Sequence, residues 1–158
     1  MSDTDIEYGP PHVDDLARIV ELVNGALGPR YRSSADDPRC REVVQRYCDG
    51  DGKGAVVARH RGVVVGLCFF DITPILAPTY LHARGDMMIV DPAYRGRGIS
   101  TTMIRAAWRL AADRGASTFL TKTSTPQVLD WFRSLPELHE RGAYFFLDFH
   151  SSLLEVDR

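Results

Sequence analysis

Between Leu81 and Gly98 the chain changes character twice. Met87-Met88-Ile89-Val90 is apolar without alternation, which predicts a strand buried on both faces and therefore central in a sheet. Asp91-Pro92 and Tyr94-Arg95-Gly96-Arg97-Gly98 follow directly. A helical stripe starts near Ile99, with Met103, Ala106, Ala107, Leu110 and Ala111 on one face and Gly115 as its stop. A buried strand that turns at once into a long amphipathic helix belongs to an α/β architecture.

The same turn carries chemistry. The first turn of a helix has backbone N–H groups without intrahelical acceptors. Those donors and the positive end of the helix dipole favour an anion. Gly96 and Gly98 put no Cβ between the backbone and phosphate oxygens. Arg95 and Arg97 add charge, Ser100 and Thr101 add hydroxyls, and a pyrophosphate is the natural guest. Neither common nucleotide pattern fits. There is no GxxxxGK[ST], and Gly96-Arg97-Gly98 is followed by Ile99-Ser100-Thr101 without the third glycine of GxGxxG.

Elsewhere the pattern is regular. Ile6-Glu7-Tyr8 reads as a short strand, and Leu16, Ile19, Val20, Val23 and Leu27 as the stripe of a helix stopped by Gly28-Pro29. Pro38 opens a second helix with Val43, Val44, Tyr47 and Cys48 on its apolar face. Ala55–Ala58 and Val63–Val65 flank His60-Arg61-Gly62, a hairpin signal, and the second strand continues through Leu67, Phe69 and Phe70. The prolines between Ile72 and Pro78 predict that the chain leaves the sheet there, before a strand over Leu81–Val90. Thr118–Thr123 reads as another strand, Thr125-Pro126 as the start of a helix, and Tyr144–Phe149 as a last strand. The expectation is one domain over residues 1–158, with a sheet that is antiparallel early and crosses over through helices later.

Composition excludes several classes. At 158 residues with 44% hydrophobic and 25% charged residues, the chain can bury a core without disulfides or metal. A net charge of −2 argues against a strongly basic nucleic-acid partner. No apolar run approaches the ~20 residues of a membrane helix, and the acidic MSDTDIEYGPP is unlike a secretory signal. Cys40, Cys48 and Cys68 are an odd set without CxxC spacing or a histidine cluster. They read as reduced thiols of a cytoplasmic protein without a metal site.

Arg95-Gly96-Arg97-Gly98-Ile99-Ser100 resembles motif A of the GNAT superfamily of N-acetyltransferases, [QR]-x-x-G-x-[GA], with serine at the last position. Val90-Asp91-Pro92-Ala93-Tyr94 ahead of it is also typical of that family, and the order of elements agrees over nearly the whole chain. The resemblance implies a mixed, mostly antiparallel α/β sheet with helices on both faces and a wedge where the fourth and fifth strands splay. Acetyl-CoA would lie in that wedge as co-substrate. Met88, Ile89 and Val90 would pair their backbones with its pantetheine arm, and the amides from Gly96 through Ile99 to Thr101 would hold its pyrophosphate. A primary amine of a small molecule or peptide would attack the thioester directly.

Candidate proton-moving groups are Asp86, on the strand that would carry the acyl end, and His82, on the same face by period two. Tyr80 could line an acceptor pocket, and Arg84 could pair with Asp86 or bind an acidic acceptor. The first two helices and the stretch Thr73–Tyr80 would build that pocket. Many family members place a tyrosine in the helix after strand five; counting along this chain puts Phe132 or Trp131 there, and the acid could instead be water or Tyr144. The missing hydroxyl keeps open an alternative, a non-catalytic acyl-CoA-binding sensor. An edge strand at Tyr144–Phe149 would suit pairing of two copies in a homodimer.

Overall fold

The computed structural model describes residues 5–28, 33–50, 52–75, 77–123 and 125–138, with backbone only at 75 and 77–79. The chain forms two compact units, residues 1–122 and 123–158.

In the first unit the elements run β1 (Ile6–Gly9), α1 (Leu16–Leu27), α2 (Pro38–Asp49), β2 (Lys53–His60), β3 (Val63–Ile75), β4 (Ala77–Val90), α3 (Ile99–Asp113) and β5 (Ala116–Leu120). The sheet order is β1-β2-β3-β4-β5. The first three pairings are antiparallel and β4–β5 is parallel. The fold is the expected mixed α/β sheet, and β4 lies inside it.

Local chemistry sets these elements. Arg61 and Gly62 both take positive φ, 52° and 78°, the conformation of a two-residue turn whose twist suits the β2–β3 hairpin. Pro38 occupies the first turn of α2, and Asp37 caps it by accepting from the Arg39 amide at 2.9 Å. The Gly28 and Gly50 N–H groups close α1 and α2 by donating to the Asn24 and Arg46 carbonyls. On one sheet face α1 and α2 bury Ile19, Val20, Leu22 and Val44 with Val57, Leu67, Phe69 and Ile89. Alternate strand residues, Val56, Cys68 and Phe70, are buried on the other face. There Met103 of α3 packs on Gly66 of β3.

Three boundaries differ from expectation. The proline stretch does not leave the sheet: β3 runs to Ile75 and β4 starts at Ala77. β2 starts at Lys53, opposite Asp71, and past Asp71 β3 has only β4 as a neighbouring strand, with Pro74 opposite Leu81. A proline there is tolerated because one side of the strand needs no donor. β5 spans Ala116–Leu120 instead of Thr118–Thr123; the parallel pairing with β4 selects the earlier residues. Ala106 and Leu110 are half-buried, and α3 buries Ile99 and Ile104 instead beside Met103, Ala107 and Ala111.

In the second unit α4 spans Pro126–Arg133, with Pro126 in its first turn and the Val128 and Leu129 amides both bonded to the Thr125 carbonyl at 3.0 Å. The expected strand Tyr144–Phe149 lies outside the described residues. Among the described residues no helix is long and apolar enough to cross a membrane, and no cluster of three or more histidines, cysteines or carboxylates is placed to hold a metal.

Candidate active site

β5 accompanies β4 only as far as Arg84, which pairs with Leu120. Beyond that point β4 continues for six residues to Val90 against β3 alone among the described strands. The register to β3 slips at the same place: Phe70 faces Gly85 and Phe69 faces Met87, which leaves Asp86 as the extra residue of a β-bulge. A bulge kinks its strand and re-aims the side chain it carries. The bulge on the β3 side of β4 thus lies next to the point where β5 leaves its other side.

At the far end of β4 the chain enters a 3-10 turn, Pro92–Tyr94, capped by Asp91, whose carboxylate accepts from the Ala93 amide at 2.9 Å. Gly96 and Gly98 have φ of 76° and 73°, and a Cβ at either would meet nothing within 4 Å. Both are glycine for conformation, and both face open space. Gly98 is the N-cap of α3 and supplies no side-chain cap. The first intrahelical bond is Thr102 N–H to the Gly98 carbonyl at 3.1 Å, so the mouth of a 15-residue helix presents its leading amides outward. Ile99 anchors that turn at 2% exposure. The two arginines fold back onto the loop. Arg95 donates to the Val90 carbonyl at 3.3 Å, and Arg97 donates to the Ala93 carbonyl at 3.3 Å and lies over the Tyr94 ring. Met88 and Val90 are half-buried and Ile89 is buried.

The bulge residue belongs to a row of charges across three strands. Lys53 is opposite Asp71, and Asp71 is opposite Arg84. Lys53 is ion-paired with Asp71, and Arg84 reaches Asp71 at 3.3 Å and Asp86 at 3.4 Å. Two carboxyls this close do not ionise alike. Burial, together with the hydrogen bond and charge of Asp71, holds the Asp86 carboxyl above its ordinary range. Asp71 is itself pushed up by burial, but its bonds to Lys53 and Asp86 outweigh that and leave it below the ordinary range. The buried Tyr47 hydroxyl sits beside both and is pushed up to about 12 by burial and their negative charge. Its ring stacks on Phe69 with centroids 4.2 Å apart.

Asp86, Tyr47, Phe69 and Met87 form one end of a cavity of about 400 Å³ between the sheet and the first two helices. Ile19, Val20 and Val23 of α1 and Cys40, Val43 and Val44 of α2 form its walls. Ser33, Asp37 and Arg39 close the other end. Thr73 and Tyr80 are not among its lining residues, and the stretch that holds them belongs to the β3–β4 hairpin.

His82 is buried on β4, with Nδ1 3.4 Å from the Thr118 hydroxyl, and burial with the Arg84 charge lowers its pKa. It does not line the cavity. Tyr80 is exposed at the start of the strand. Phe132 and Trp131 lie in α4, in the second unit, with ring centroids 4.9 Å apart and ring planes tilted by 33°, and Tyr144 lies outside the described residues. Cys40, Cys48 and Cys68 are all free thiols.

Sequence reasoning passed over Tyr47, Asp71 and Lys53. Tyr47 falls on the apolar stripe of α2 and reads as core. The other two become neighbours of Asp86 only through strand register, which no local pattern displays. It also passed over Arg18, which pairs with Asp91 and donates to the Val64 carbonyl at 3.0 Å. That ties α1 to the end of β4, where the glycine turn begins.

The fold is shared by solved structures of low sequence identity. An acetyltransferase from Trypanosoma brucei matches with a TM-score of 0.71 at 21% identity over 90% of this chain and 100% of that one. An aminoglycoside acetyltransferase from an uncultured soil metagenomic sample, in complex with trehalose, matches with a TM-score of 0.74 at 17% identity over 91% and 96%. An aminoglycoside N-acetyltransferase in complex with CoA matches with a TM-score of 0.68 at 16% identity over 89% and 93%. No curated protein sequence matches at a significant level. The family model described as Acetyltransferase (GNAT) family matches residues 18–135, a span that runs from Arg18 through the glycine turn to the end of α4, and the chain therefore belongs to the GNAT acetyltransferase family.

Proposed function

We propose that the protein transfers the acetyl group of acetyl-CoA to a primary amine of a small molecule or peptide by direct attack. The observation that carries this reading is the position of Asp86. It stands at the bulge where β4 parts from β5, with a pocket on one side and, along the same strand, an outward-facing glycine turn at a helix mouth. The neighbour with CoA bound supports the same use of the fold.

The residues present fit an anionic, amide-bearing co-substrate. The amides from Gly96 to Thr101 and the α3 dipole suit a diphosphate, with charge from Arg95 and Arg97 and hydroxyls from Ser100 and Thr101. The strand edge over Met88, Ile89 and Val90 offers backbone partners to an extended arm. Over the four steps from Asp86 to Val90 it measures about 13 Å. At its other end Asp86 attracts an ammonium and takes its proton; a carboxylate whose proton is held more tightly than usual is the stronger base. The hydroxyl of Tyr47 stays protonated up to about pH 12 and orients that carboxylate. A nitrogen–carbon bond forms as the carbon–sulfur bond breaks, and the thiolate takes a proton from water.

Isothermal titration with acetyl-CoA, followed by thiol release with a panel of amines, tests this. Binding with release is expected. No heat at millimolar acetyl-CoA would remove the reading. The aromatic pair in α4 favours a second reading, a non-catalytic acyl-CoA sensor, for which binding without release from any amine would speak.

A further inference from the structure

We infer that the acceptor is an apolar primary amine, an alkylamine or arylalkylamine, whose ammonium meets Asp86 and whose body lies along α2. The inference rests on the acetyltransferase reading above and concerns the same pocket.

The cavity has a polar pole at each end and apolar walls between. Asp86 and Tyr47 mark one pole; Asp37, Arg39 and Ser33 mark the other. Ten residue steps along α2 lead from Asp37 to Tyr47, about 15 Å at the helical rise per residue. Along that length α2 presents Cys40, Val43 and Val44, and α1 faces them with Ile19, Val20 and Val23. A chain of hydroxyls laid there would lose water and meet no partners, which disfavours a sugar-like acceptor. A hydrocarbon of eight or so carbons would span the walls and gain from every methylene buried. The charge at the inner pole is also selective. Asp86 lines the cavity, while Lys53 and Arg84 do not: Lys53 pairs with Asp71, and Arg84 reaches Asp71 and Asp86 without lining the pocket. A cationic head is therefore matched to the carboxylate end.

The basicity of straight-chain amines barely changes from ethylamine to octylamine, so a rate series reads the pocket. With the full-length protein and acetyl-CoA, kcat/KM for thiol release is expected to rise about fourfold per methylene and level off near octylamine, with phenethylamine accepted and glucosamine and neamine poor. Val43 lines the wall yet is 51% exposed, so Val43→Glu should fold. It is expected to flatten the chain-length series, cutting octylamine turnover at least tenfold more than ethylamine turnover. A flat series, or faster turnover of the hydroxylated amines, overturns this inference while leaving acetyl-CoA binding and amine turnover intact. Absence of acetyl-CoA binding overturns both readings together.

Discussion

Asp86 shows how much a single register slip accomplishes. On a regular strand its side chain would take its place in the pleat; as the unpaired residue of a bulge it faces the pocket between the helices and shares a proton equilibrium with Asp71. Two consequences can be measured. Asp86→Asn should lower kcat/KM by a factor of about 10² to 10⁴, the usual range for a general base. In the unaltered protein the acidic limb of the kcat/KM profile should lie above 3.8, the ordinary aspartate value, because burial and Asp71 oppose ionisation of Asp86. Asp71→Asn removes that negative neighbour and leaves Lys53 and Arg84 to favour the Asp86 carboxylate. The limb should then move to lower pH. A limb that stays in place would show that Asp71 contributes packing and no tuning.

At the scale of elements, glycine is used in two different ways, and the difference predicts opposite phenotypes. Gly98 at the mouth of α3 has room for a Cβ but a φ of 73°. A β-branched residue there is strained by roughly 1–3 kcal/mol, which the turn relieves by shifting the amides that point outward. Gly98→Val is expected to weaken acetyl-CoA binding tenfold or more in calorimetry with a modest change in Tm. Gly54 on β2 has no such conformational demand; a Cβ would lie 2.1 Å from the Phe70 ring, which is fully buried. Gly54→Ala forces that ring aside, and overpacking of this kind costs about 1–3 kcal/mol. It should lower Tm and leave the acetyl-CoA affinity of the folded protein nearly unchanged. The reverse pattern in either variant would contradict these assignments.

For the molecule as a whole, His82, Asp71 and Asp86, whose pKa values are shifted by folding, contribute to the pH dependence of stability. His82 has a folded pKa below 6.5, the ordinary histidine value, because burial and Arg84 disfavour its charge. A depressed histidine contributes stability that is present above 6.5 and is lost as pH falls toward the folded value. Asp71, also depressed, adds a second loss at pH below 3.8, and Asp86, raised, opposes it from above. The urea midpoint is therefore expected to fall as pH drops below 6.5, and His82→Asn should flatten that segment. An unchanged slope in the variant would assign the loss to other groups.

What could be read from the chain alone was whatever is local. The stripe of α1, the proline and cap of α2, the Arg61-Gly62 hairpin and the strand–glycine turn–helix passage at Val90–Ile99 all depend on residues within a few positions of each other. Periodicity and turn chemistry therefore displayed them. The continuation of the β3–β4 hairpin through Pro74 was not local, because it turns on whether β2 reaches far enough to need that donor. The site divides in the same way. The glycine turn is a contiguous segment, and its chemistry stood in the residues. The charge row of Lys53, Asp71, Arg84 and Asp86, and the meeting of Tyr47 with it, required three strands and a helix to be brought into register. Only tertiary structure does that, since neither β-pairing register nor a bulge is encoded in spacing along one strand.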